Sequence, residues 1–163
     1  MILIDTCSVL KLKMLNEEFD DLTEKILDNS NVFVTHEVVN EILYYYPEFE
    51  ENIKKITIVP NLNTKYYRLF LENFDDADSS LLGYGKEKKI VIVTEDHEIL
   101  KLSKLMSITS IQLCDFLFEL NKEKKIFRLR KIRKIMKILR ETKNITKRKY
   151  KKIRFGIDGR VRK

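Results

Sequence analysis

Short apolar runs that alternate with segments of helical periodicity are the feature of this sequence that most limits its fold. The runs are ILI (2–4), NVFVT (31–35), TIVP (57–60), KIVIVT (89–94) and TSIQLC (109–114). Strands that are apolar at nearly every position are typical of parallel sheets covered on both faces. The pattern therefore predicts an α/β protein, a three-layer α/β/α fold with a mainly parallel central sheet.

The spacing of apolar residues also predicts where the helices lie. They are expected over residues 15–29, 36–46, 48–56, 63–74, 75–86, 97–105 and from 115 onward. Gly83 and Gly85 are expected to weaken the end of the helix over 75–86, because glycine is a poor helix former.

Charge divides the chain into two parts. Its 163 residues suit one compact domain with an appendage. Residues 121–163 contain 20 Lys and Arg against 3 Asp and Glu, whereas residues 1–120 contain 12 against 22. The net charges of +17 and −10 predict an acidic body over 1–120 and a basic helix and tail over 121–163 with a separate role.

The sequence predicts a cytoplasmic protein. The opening MILID is unlike a secretory signal, and no apolar run is long enough to cross a membrane. Cys7 and Cys114 form no C-x-x-C pair, so we expect reduced thiols and no zinc site.

Acidic residues follow three of the predicted strands. Asp5 follows ILI, Glu95 and Asp96 follow KIVIVT, and Asp115 follows TSIQLC. Ligands of open parallel sheets bind outside the carboxyl ends of the strands, where these side chains would lie. Asp5 alone would also suit a turn at a strand exit, and Glu95 competes with Asp96 for a functional role.

The stretch FDDADSSLLG (74–83) holds three carboxylates that a helical wheel separates. At about 100° per residue, Asp78 falls within the apolar arc of the helix, whereas Asp76 points away from it. Asp75 is placed to cap the helix N-terminus. A carboxylate on an apolar face is costly to bury unless it is paired or binds a metal, so Asp78 is either a site residue or part of a cap or ion pair.

Four acids on four separate elements are predicted to meet in one crevice. They are Asp5, Glu41, Asp78 and Asp96. Two unit charges about 4 Å apart repel by about 4 kcal/mol at an effective dielectric constant of about 20. A hard divalent cation, Mg²⁺ or Mn²⁺, would neutralise such a group, activate a water and offset the charge of a phosphodiester.

The chain resembles the PIN domain family, the metal-dependent ribonucleases that include VapC-type toxins, over residues 1 to about 120. The resemblance rests on the order and spacing of MILIDTCSVL, VTHEVVNEI, DADSSLLGYGKEKK and IVIVTEDHEIL. It implies that the four acids named above are the catalytic and metal-binding residues, with the hydroxyls of Thr6 and Thr94 close to the metal. The chain departs from the family in having Ser79 and Ser80 after the third acid, where Ala is common, and in its basic tail.

The basic tail is predicted to bind RNA. Apolar residues recur at helical spacing within residues 121–143, and their stripe would dock on the chain's own core or on a second subunit as a homodimer. Cations and aromatic rings interleave further on, which suits phosphates and stacked bases. The predicted RNA-binding residues are Arg128, Arg130, Arg133, Lys147, Arg148, Lys149, Tyr150 and Arg154. A solvated tail and attachment to an anionic membrane surface are the alternatives, of which we favour neither.

These features predict a Mg²⁺- or Mn²⁺-dependent endoribonuclease, either a VapC-type toxin with an antitoxin partner or an RNA-processing enzyme. The alternative is a catalytically inactive PIN-like protein that binds RNA or a ribosomal partner. A phosphotransferase of similar layout is less favoured, because Asp5-Thr6-Cys7 lacks the second Asp of a D-x-D motif.

Overall fold

A five-stranded parallel sheet forms the centre of the computed structural model, which describes residues 1–60, 65–142 and 145–158. The strand order is β3-β2-β1-β4-β5, and every neighbouring pair is parallel. The strands are β1 (Ile2–Ile4), β2 (Val32–Thr35), β3 (Thr57–Val59), β4 (Val91–Val93) and β5 (Ser110–Ile111).

Helices cover both faces of this sheet. They are α1 (Thr6–Glu18), α2 (Leu22–Asn29), α3 (His36–Tyr45), α4 (Glu50–Ile53), α5 (Lys65–Phe70), α6 (Asp76–Lys88), α7 (His97–Leu105), α8 (Leu113–Lys124), α9 (Leu129–Glu141) and α10 (Lys147–Asp158), with a 3-10 turn at Pro47–Phe49. Ile92 and Val93 are neighbours in β4 and are both fully buried, but they belong to two separate apolar clusters. The predicted three-layer α/β/α fold is therefore confirmed.

Two of the predicted helices are each divided in the structure. The helix expected over 15–29 is two helices, because α1 already begins at Thr6 and the chain turns between Glu18 and Leu22. The buried positions of α1 include Ser8, a polar residue that hides the apolar period of this helix. A single helix is predicted over 121–143, but the structure has parts of two helices there. α8 continues to Lys124, and the left-handed backbone of Lys125 separates it from α9.

The apolar stripe of α9 docks on the chain's own core, which was the first of the two predicted alternatives. Its buried residues are Ile132, Ile135, Met136 and Leu139. They join the same apolar cluster as the strands of the acidic body, as do Ile153 and Ile157 of α10. No helix among the described residues is long and apolar enough to cross a membrane.

Helix α6 is buried on almost every side, and its glycines have a packing role. It runs to Lys88, two residues beyond the predicted end, which Gly83 and Gly85 are expected to weaken. A Cβ atom on Gly83 would lie 3.0 Å from the backbone N and Cα of Tyr67 in α5. Gly83 thus allows the backbones of α5 and α6 to approach closely.

We expect Gly83→Ala to destabilise the protein by about 1–2 kcal/mol, because backbone atoms cannot move aside as a side chain can. The measurement is urea unfolding followed by circular dichroism. Gly156→Ala in α10 is the matched control for a clash with a side chain, since the three atoms nearest its Cβ all belong to the ring of Phe118, with Cζ at 2.8 Å. A gain of stability for Gly83→Ala, as helix propensity alone would give, would contradict this role.

Candidate active site

The strand order creates a crevice between β1 and β4. The chain proceeds from β1 to β2 and β3 on one side of the sheet and then returns to the other side of β1 at β4. Crevices at such switch points are where open parallel sheets bind ligands, outside the carboxyl ends of the strands. Asp5 follows β1 and Asp96 follows β4, so both acids lie at this crevice.

Asp5 joins β1, β4 and α1. Its backbone N–H donates to the carbonyl of Val93, at 3.0 Å. Its carboxylate accepts hydrogen bonds from the backbone N–H of Ser8, which caps α1, and from that of Glu95 at 3.2 Å. Asp5 is only 4 % exposed, and these backbone donors compensate for the burial of its charge.

Glu41 reaches the site from α3, which begins directly after β2. Thr35 caps this helix, accepting from the backbone N–H of Val38. The half-buried Glu41 carboxylate accepts a hydrogen bond from the hydroxyl of Thr6. The structure therefore brings together Asp5, Thr6 and Glu41 from β1, α1 and α3.

The two acids after β4 have different environments. The exposed Asp96 caps α7, accepting from the N–H groups of Glu98 and Ile99 at 2.6 and 3.1 Å, and its own N–H donates to the buried Thr94 hydroxyl. Glu95 instead accepts from the N–H of Leu113 at 2.9 Å and pairs with Lys11, at 3.4 Å. Glu95 is thus already neutralised.

Asp78 is the acid whose charge is least compensated. Asp75 caps α6 by accepting from the N–H of Asp78, as predicted, while Asp76 is exposed and accepts from Tyr67. Burial raises the pKa of Asp78 to about 7, and the charges of four neighbouring acids add to this shift. In decreasing order, they are Asp75, Asp96, Asp5 and Glu41. Asp5, Glu41 and Asp96 therefore each lie close enough to Asp78 to disfavour its charge.

The thiol of Cys7 lies in the same electrostatic field. Partial burial raises its pKa, and the charge of Asp5 adds to this increase, whereas Lys11 opposes it. Cys7 and Cys114 are both free cysteines, as expected.

The donor set suits a hard divalent cation in its chemistry, because it consists of carboxylates that repel one another. As the side chains stand, however, no three His, Cys, Asp or Glu among residues 1–60, 65–142 and 145–158 are grouped to hold a metal ion. Binding would therefore require carboxylates to change rotamer. Asp78 can do so more readily than Asp5 and Asp96, whose carboxylates accept from backbone N–H groups.

The predicted RNA-binding residues of the tail have mixed surroundings. Arg128, Arg130, Lys147 and Arg148 are exposed. Lys149 instead donates to Gln112 and forms an ion pair with Asp115, and Tyr150 is half-buried beneath the guanidinium of Arg140. Arg133 and Arg154 are exposed and also have interaction partners. Arg148 and Lys152 line a cavity of about 900 Å³ between α8 and α10.

Sequence reasoning missed a buried hydroxyl pair that supports the site. The hydroxyls of Thr35 and Ser80 lie 2.6 Å apart, and that of Ser80 also donates to the carbonyl of Ala77. This contact ties the start of α3 to the start of α6, and so Glu41 to Asp78. Ser80 thus has a structural role, which sequence reasoning could not predict because Thr35 lies 45 residues away along the chain.

No protein-family model, curated protein or solved structure matches this chain.

We expect Asp78→Asn to stabilise the metal-free protein more at pH 8 than at pH 5. A carboxyl pKa raised to about 7 from 3.8 means that the folded state binds the proton more tightly than the unfolded chain. Asp78 therefore lowers stability progressively as the pH rises from the unfolded towards the folded value, and the variant lacks this loss. Thermal unfolding in EDTA at both pH values measures the difference. An equal effect at the two pH values, or the same pH dependence in the exposed control Asp28→Asn, would contradict the assignment.

Proposed function

We propose that this protein is a PIN-like, Mg²⁺- or Mn²⁺-dependent endoribonuclease. The observation that carries the proposal is the uncompensated Asp78 carboxylate, which lies within the field of Asp5, Glu41 and Asp96 at the switch point of a parallel sheet. A structural group of acids would be expected to have cations among its neighbours. Here Lys11, a cation near this group, is paired with Glu95.

The four acids would hold the ion, which would supply an activated water and offset negative charge on the phosphodiester. The chain fixes these ligands to different extents. Backbone N–H groups orient Asp5 and Asp96, and the Thr6 hydroxyl orients Glu41. Asp78 lacks such a donor among the described residues, so its carboxylate is the one most able to adjust to an ion. Thr94 acts indirectly, by holding the backbone of Asp96.

The resemblance to PIN nucleases implies products with a 3′-hydroxyl and a 5′-phosphate. Within this class, the protein is either an RNA-processing enzyme or a VapC-type toxin with an antitoxin. The basic tail favours the first, because the core pattern of the family does not include it.

We expect Asp5→Asn and Asp78→Asn each to lower RNA cleavage by at least about 100-fold, because each removes a charge that the ion requires. Asn caps a helix as well as Asp does, so Asp5→Asn keeps the hydrogen bond from Ser8, but it loses the one from Glu95, and circular dichroism must verify the fold. The assay is cleavage of labelled single-stranded RNA in Mn²⁺, with EDTA as the blank. The matched control is Glu98→Gln, an exposed acid two residues beyond Asp96. Cleavage at the unmodified rate by either Asn variant would refute the assignment of the site.

A second function is favoured by the absence, among the described residues, of three acids grouped to hold an ion. The protein would then be a catalytically inactive PIN-like protein that binds RNA or a ribosomal partner through its tail. Binding of RNA without cleavage in Mn²⁺ would support it over the nuclease.

In either case we expect RNA affinity to fall steeply with salt, because cations of the tail release counterions from phosphates. The double variant Lys147→Ala/Arg148→Ala should reduce the slope of log K against log salt by about 1.4, or about 0.7 for each phosphate contact on a single strand. Fluorescence anisotropy over a salt series measures the slope. Lys101→Ala/Lys104→Ala, two exposed lysines of α7, is the control. A slope that is unchanged in the tail variant would place the RNA elsewhere.

A further inference from the structure

Two exposed tyrosines lie one helical turn beyond Glu41. Tyr44 and Tyr45 follow it by three and four residues, so they lie on the same side of α3, with Cβ atoms about 5–6 Å from that of Glu41. Tyr44 is 80 % exposed and Tyr45 64 % exposed, and their rings contact edge to face with centroids 4.9 Å apart. Exposed apolar side chains are common when isolated, whereas rings in contact with one another beside a groove are a feature of ligand-binding surfaces.

These rings form one wall of a groove of about 480 Å³, which we call the tyrosine groove. The first turn of α6 and Tyr67 of α5 complete it. Its lining residues are Glu37, Asn40, Glu41, Tyr44, Tyr45, Tyr67, Asp75, Asp76 and Ala77. The groove therefore shares Glu41 with the candidate active site.

The polar groups of the tyrosine groove are mainly hydrogen-bond acceptors. Four of its lining residues are acids and none is a Lys or Arg, so a phosphate would be repelled. The Oε2 atom of Glu37 is buried and has no hydrogen-bond partner among the described residues. A buried acceptor without a donor is costly, so a rotation of the half-buried Glu37 side chain that brings this oxygen to a donating ligand in the groove would be favoured.

We propose that the tyrosine groove holds one unstacked base of single-stranded RNA, beside the phosphodiester that the four acids cleave. The base stacks on Tyr44 and donates its exocyclic amino group to the acidic wall, so cytosine is preferred over uracil, which lacks that group. This inference rests on the proposed nuclease function and assigns it a base preference at one position.

The acidic and aromatic character of the groove would also suit a basic peptide. A groove built for a peptide would not make the protein distinguish one RNA sequence from another. The rings and the acceptor of Glu37 instead match two features of a base, its face and its amino group. The experiment below separates the two.

The test measures binding of labelled rC8 and rU8 oligonucleotides to the full chain by fluorescence anisotropy, in EDTA and at a salt concentration that suppresses binding by the tail. We expect rC8 to bind more tightly than rU8. Tyr44→Ala should weaken binding of rC8 roughly tenfold or more through the loss of one stacked base, and Tyr44→Phe should retain it. Glu37→Leu should reduce the preference for cytosine while keeping the stack.

Leu105→Ala is the control, because Leu105 is 75 % exposed and lies at the far end of α7 from Asp96. Equal affinities of Tyr44→Ala and the unmodified chain for rC8 would overturn the proposal.

The two proposals fail in different ways. If the unmodified chain binds rC8 through Tyr44 but does not cleave RNA in Mn²⁺, the nuclease function is wrong and the base site stands. If it cleaves RNA and Tyr44→Ala changes neither affinity nor the base at the cleavage position, the nuclease function stands and the base site is wrong.

Discussion

The central strand β1 is paired on both sides, and this pairing is the constraint on which the rest of the structure depends. β1 has only three residues, and its ladder is complete only when β2 and β4 are both in place. Leu3 and Ile4 are fully buried, which ties the pairing to the covering helices. At the end of β1, Asp5 donates to β4 and starts α1. The candidate catalytic acid is therefore also a structural joint. An Asn at this position can cap α1, but it cannot use two oxygens to accept from both Ser8 and Glu95 as the carboxylate does.

The charges of the chain are arranged so that most basic contacts lie away from the four acids. Lys131 pairs with Asp21, and Lys134 with Glu18, near the end of α1 that is remote from Asp5. Lys149 pairs with Asp115 at the start of α8. Salt bridges at the protein surface contribute little stability each. The main consequence of these pairs is that they hold their cations away from the four acids. The acidic body and the basic tail attract one another, yet Asp78 keeps a raised pKa.

The fold could be predicted further from the sequence than the site. Short apolar runs were enough for the parallel sheet, and the wheel for FDDADSSLLG correctly separated Asp75 as a cap from Asp76 as an exposed charge. The residue pattern alone could not decide between Glu95 and Asp96. The partners of Glu95 are Lys11 and the backbone of Leu113, which are far away in sequence. The start of α1 was missed because Ser8 occupies a buried position, and the exposed tyrosines looked like the ordinary end of a helix.

The strand order also explains how one RNA strand would meet surfaces of opposite charge. The tyrosine groove lies on α3, which follows β2, while Lys149 of α10 contacts Gln112, which follows β5. β1 and β4, with Asp5 and Asp96, lie between them in the order β3-β2-β1-β4-β5. A strand laid across this edge of the sheet would place a neutral base in the acidic groove and its phosphates towards the basic α10. The scissile phosphodiester would then lie at the acids in the middle. An acidic groove beside the proposed nuclease site is thus consistent with RNA binding, because the groove would meet the uncharged part of the nucleotide.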